Sequence, residues 1–168
     1  MTTSERVLTG ERASLLAILG RQRDMLRRTV RGLTDEQAAT RSTVSTLCLG
    51  GLVKHVAAIE DGWARFMVGG AEAMPGQTDD WQAGFRMIGD ETLAGLLDRY
   101  AQVAARTDEL VSTLDLDAAH LLPAAPWFEP GASWSVRQVV LHLVAEISQH
   151  AGHADILRES IDGARSMG

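Results

Sequence analysis

One carboxylate and three imidazoles fall within twelve positions of a single segment, "LHLVAEISQHAGHAD" (141–155): His142, Glu146, His150 and His153. At about 100° per residue of α-helix, Glu146, His150 and His153 lie at about 40°, 80° and 20° from His142, on one narrow stripe. Leu143, Ile147 and Ile156 flank it on one side and Val139 on the other, so the stripe looks into a helical core or sits at its rim. A carboxylate there must be paired, hydrogen-bonded or bound to a cation, because desolvation otherwise costs several kcal/mol. Glu146 and His150, one turn apart, present an oxygen and a nitrogen to the same point in space and form a chelating pair. The same spacing also suits a plain ion pair, so a third donor decides between the two. His55, in "LVKHVAAIEDGW" (52–63), shares its helix side with Leu52, Val56 and Ile59 and points inward from a different segment. Two imidazoles and a carboxylate suit zinc, or another divalent first-row ion such as nickel. Three protein ligands leave a coordination position open, as catalytic sites do, and an open position can take a thiol as thiolate.

The elements that must position these groups read as helices. The first is expected over Gly10–Arg31, with Leu15, Leu16, Ile18, Leu19, Met25, Leu26 and Val30 inward, Arg21, Arg23, Arg27 and Arg28 toward water, and "RGLTDEQ" ending it. The second is expected from Ser45 to Val68, stopped by "GGAEAMPGQTDD", and the third over Asp90–Leu114, after a short turn in "DDWQAGFRM". The proline-rich "DLDAAHLLPAAPWFEPGAS" (115–133) reads as a long ordered loop. Ser135 with Gln138 matches a capping box and opens the fourth helix, which carries the stripe. No segment sustains two-residue alternation, so the fold class is all-α: a four-helix bundle with a long crossover between helices two and three. "GGLVKHVAAIE" and "RQVVLHLVAEI" each set a histidine between apolar neighbours, a parallel use of similar bundle positions.

The chain's 168 residues fit one domain spanning 1–168, and 45% hydrophobic content fills its core. With 22 acidic against 16 basic residues and no basic run, it lacks a nucleic-acid footprint. Cys48 is the lone cysteine, so no internal disulfide forms and a reducing compartment is expected. "MTTSERVLTGER" has no signal-peptide core and no run approaches a membrane span, which places the protein in the cytoplasm.

Through "TLCLGGLVKHVAAIEDGW" and "LHLVAEISQHAGHADILRE" the chain resembles the DinB-like superfamily. The likeness is to its thiol-dependent branch of mycothiol-dependent maleylpyruvate isomerase and mycothiol S-transferases. The resemblance implies a metal-binding four-helix bundle whose ligands map onto His55, Glu146 and His150. Many members carry histidine where Glu146 stands, and the glutamate is what favours the isomerase-like branch. His153 occupies a position where many relatives have glutamine, which fits a base beside the metal better than a ligand. The implied activity is transfer of mycothiol to a small electrophile, with His153 taking up the thiol's proton and His142 orienting a ligand. Cys48, early in helix two among apolar residues, is expected to be structural. Two other activities use the same residues: hydrolysis by bound water, or no catalysis, with the stripe a polar network. Trp63, Trp81, Trp127, Phe128 and Trp134 are candidate pocket walls, and Arg158 is expected to pair with Asp155 or Glu159. Apolar residues on the outer sides of helices one and three, together with the resemblance, suggest a homodimer.

Overall fold

The computed structural model describes residues 9–76 and 80–166 apart from the side chain of Trp81. The expectations for the N-terminal eight residues and for Trp81 as a pocket wall lie outside the described residues. Five α-helices follow in order: α1 Gly10–Thr29, α2 Asp35–Ala39, α3 Leu49–Gly69, α4 Leu93–Thr113 and α5 Val136–Asp162. Between α4 and α5, β1 Ala119–Leu121 pairs antiparallel with β2 Ser133–Ser135, His120 opposite Trp134. The long helices α1, α3, α4 and α5 make the expected all-α bundle around Leu19, Leu26, Leu52, Val56, Phe66, Tyr100, Leu143 and Ile147, all buried.

Cross-helix contacts set the directions. Arg137, at the start of α5, pairs with Glu11 at the start of α1, and Arg158, near the end of α5, donates to the Thr29 carbonyl, so α1 and α5 run parallel. Lys54 pairs with Glu91 just ahead of α4, and Asp61 accepts from Arg106 further along, so α3 and α4 are parallel too. Parallel neighbours cannot be joined by a tight turn, which is why the described residues 70–76 and 80–92 belong to a long connection, the expected crossover. This strap lies on glycines of α3. A Cβ on Gly51 would sit 1.9 Å from the Phe85 carbonyl oxygen, and one on Gly50 2.2 Å from Met87 Sδ. Lys54 Nζ donates to the Arg86 carbonyl and Cys48 Sγ to that of Phe85, fixing the strap's far end. Gly51→Ala is therefore expected to cost about 1–3 kcal/mol, because a backbone carbonyl cannot move aside as a side chain can. That lowers the melting midpoint by roughly 2–12 °C; calorimetry showing no change would mean the strap does not rest on this glycine.

Several expectations are corrected. The second long helix starts at Leu49, not Ser45, because Thr43 and Ser45 side chains accept from the backbone N–H groups of Ser45 and Leu47 and hold a turn instead. "RGLTDEQ" does more than end α1: Thr34 and Gln37 form a capping box that opens α2. Thr92 caps α4, moving its start from Asp90 to Leu93. The absence of strands was wrong in detail, since three-residue strands are too short to show alternation. The capping box of Ser135 and Gln138 opens α5 as expected, directly after β2. Ile18 and Ile156, expected inside, are 44% and 65% exposed. Arg23, expected in water, is 2% exposed and pairs with fully buried Glu60 through Nη2 and Oε1 at 2.5 Å. It stands four residues after Leu19 and three before Leu26, on the core face itself. Among the described residues no helix is long and apolar enough to cross a membrane.

Candidate functional site

Antiparallel packing of α3 against α5 brings the inward face of one onto the polar stripe of the other. The His55 ring meets that of His150 edge-on, centroids 4.8 Å apart at 80°. Two turns along α3, Trp63 meets His142 in the same way at 5.0 Å. Glu146 lies between His142 and His150 of its own helix, its Oε2 3.7 Å from His150 Nε2 and its Oε1 3.9 Å from His142 Nε2. His153 continues the row, its ring 5.6 Å from that of His150. All four residues singled out from the sequence, His55, Glu146, His150 and His153, thus belong to one neighbourhood, with His142 at its other end.

Burial sets the protonation. It pushes the His55 imidazole down to about 4, helped by neighbouring His150, so the ring is neutral at physiological pH. Burial likewise depresses His150 and His142, while Glu146 pulls each the other way. Neutral imidazoles beside a carboxylate are the donor types that a borderline divalent ion prefers. The 3.7 Å gap between His150 and Glu146 is too long for a hydrogen bond but comparable to what two bonds of about 2.0–2.2 Å to a common ion span. The buried Nδ1 atoms of His150 and His153 have no hydrogen-bond partner among the described residues. Leaving such an atom unpaired costs about 1–3 kcal/mol, so the cluster is incomplete as protein alone. Among the described residues the side chains do not form a closed set of three or more metal donors. Glu146, whose side chain is 28% exposed, has room to turn.

Aromatic rings hold the histidines in place. Phe85, delivered by the strap, stacks on His55 at 3.9 Å and 27°. Trp134 of β2 lies 5.0 Å from both Trp63 and His142, and Phe128 packs on Trp134 at 5.4 Å. Sequence reasoning missed Phe85 and the bracketing of His142; the adjacent glycines 50 and 51, one turn before His55, were the available signal that something crosses there. A cavity of about 510 Å³ opens beside Glu146 and His142, walled by Trp63, Trp127 and Phe128 as expected, whereas Trp134 supports these walls from behind. Cys48 is buried under the strap, away from the stripe. Arg158 pairs with Asp162 rather than with Asp155 or Glu159, and ties α5 to the Thr29 and Arg31 carbonyls.

With this geometry in view, the similarities to other proteins are specific. A sequence profile of the family described as Mycothiol-S-transferase matches residues 14–163. A solved structure of a conserved protein from Enterococcus faecalis superposes with a TM-score of 0.69, at 15% identity, over 94% of this chain and 100% of that one. At that identity the likeness is one of fold. No curated protein matches the chain.

Proposed function

Because this chain belongs to the mycothiol S-transferase family, we propose that it transfers a low-molecular-weight thiol, mycothiol, to a small electrophile where α3 faces α5. The observation that carries this reading is the meeting of His55 with the Glu146–His150 pair across two helices. In this reading His55, Glu146 and His150 hold one divalent ion, zinc fitting their donor types and nickel being the next choice. The ion supplies Lewis acidity that favours thiolate over thiol at neutral pH.

The chain's own groups do the rest. Phe85 against His55 and Glu146 beside His150 fix the two imidazoles relative to each other. His153, with a buried Nδ1 that has no hydrogen-bond partner among the described residues, receives the proton as the thiol's S–H bond breaks. The sulfur's electron pair forms the new S–C bond, and the displaced group leaves with the pair of its bond to carbon. His142, packed against the stacked Trp63 and Trp134, keeps the Glu146 carboxylate turned along the stripe. No cysteine of the chain is needed, consistent with the burial of Cys48.

The test is incubation of zinc-loaded protein with 1-chloro-2,4-dinitrobenzene and a panel comprising mycothiol, cysteine, glutathione and no thiol. Consumption that requires mycothiol is expected. Consumption without any thiol would make the site hydrolytic, and none under any condition would leave a non-catalytic bundle.

A further inference from the structure

The cavity beside the stripe says what kind of electrophile the site takes. Its volume, about 510 Å³, lies within the roughly 300–1,000 Å³ typical of small-molecule sites. Four separate segments build it: Ile59 and Trp63 from α3, Met74 from the start of the strap, Pro123, Trp127 and Phe128 from the loop between the strands, and His142 and Glu146 from α5. Trp127, 71% exposed, stands at the mouth with its ring 6.2 Å from that of Phe128. The polar side chains that line the cavity are those of Glu146 and His142. No lysine or arginine lines it among the described residues, and the one formal charge it meets is the negative one of Glu146.

We infer that this cavity binds the body of an uncharged, largely apolar electrophile of about aromatic-ring size, with its reacting carbon directed at the Glu146 end. The inference rests on the thiol-transfer reading for its reaction, but the cavity's selectivity stands on its walls. An apolar ring removes aromatic and methionine surface from water and stacks against Trp127 or Phe128. A carboxylate bound among the aromatic and methionine walls would lose its hydration with no lysine or arginine side chain beside it, which the apolar contacts do not offset. Because Glu146 and His142 are the polar part of an otherwise apolar lining, they also orient the ligand, accepting only the part that reacts.

Calorimetric titration of the full chain with nitrobenzene and with 4-nitrobenzoate, no thiol being present, tests this. The two probes share a ring and differ by a carboxylate. Nitrobenzene is expected to bind one per chain, about 10-fold or more tighter than 4-nitrobenzoate. Ala125→Trp, which fills the cavity from its loop wall, should abolish binding, and Trp127→Ala should weaken it about 5-fold or more with the melting midpoint unchanged, because Trp127 is exposed. Equal affinity for the two probes, or nitrobenzene binding that survives both substitutions, overturns the inference. Selective nitrobenzene binding in a protein that turns over no thiol with any electrophile would overturn the transfer reading while upholding the cavity's preference.

Discussion

Replacing His150 by alanine is expected to abolish stoichiometric binding of a divalent ion and thiol transfer with it. His150 is the one residue of the cluster that touches the others on both sides: its ring meets His55 from α3, and its Nε2 lies 3.7 Å from Glu146. Partners that merely support metal ligands typically account for 10- to 100-fold in affinity, so loss of a ligand itself should exceed about 100-fold. Glu146→Gln keeps the size and removes the charge, and should weaken affinity by about 10-fold or more. Glu146→His restores a three-imidazole set and should bind metal again with an altered rate. Metal content by mass spectrometry, on protein purified without a histidine tag, reads all three. Full occupancy in His150→Ala would sink the ligand assignment, and loss in His153→Ala alone would transfer it to the other imidazole.

The largest expected effect on stability lies elsewhere in the bundle. Arg23 on α1 forms a two-point pair with Glu60 on α3, Nε to Oε2 at 3.2 Å and Nη2 to Oε1 at 2.5 Å, and its third nitrogen reaches Asp108 on α4 at 2.8 Å. Glu60 is fully buried, so Arg23→Met strands a carboxylate in the core and is expected to cost about 3–5 kcal/mol. That corresponds to roughly 6–20 °C in melting midpoint for a domain of this size. The double variant Arg23→Met, Glu60→Leu removes both charges and should recover most of the loss, since well-packed apolar residues often replace a buried pair at little cost. A single variant as stable as the parent would show that water reaches Glu60. One function of the pair follows from its position. Glu60 directly follows Ile59 and lies between His55 and Trp63, so a bidentate clamp onto α1 fixes the rotation of the helix that presents all three to the site.

The stripe was legible from residue types because helical geometry is local: spacing of four residues along α5 already dictates that Glu146 and His150 adjoin. The inward direction of His55 was equally legible, since its neighbours Leu52, Val56 and Ile59 share its side. Arg23 was legible in principle and misjudged, because charge was weighed above position on an apolar face. Ile18 and Ile156 failed in the opposite sense: hydrophobicity suggested burial, yet a bundle helix has an outer side and apolar residues are tolerated there singly.

What the sequence by itself determined was therefore the four long helices, the capping box that opens α5, the all-α class, and the membership of four donors in two helical faces. Which faces meet was decided by the tertiary structure. Parallel pairing of α3 with α4 required a long connection between them, and its described residues 80–92, seated on Gly50 and Gly51, placed Phe85 on His55. The short hairpin, with no alternation to announce it, set Trp134 against His142 and held Phe128 over the cavity. The contacts that bring the strap and α5 onto α3 join residues far apart in the chain, His55 with Phe85 and Trp63 with His142. They depend on the direction and order in which helices pack, which periodicity along one helix does not encode.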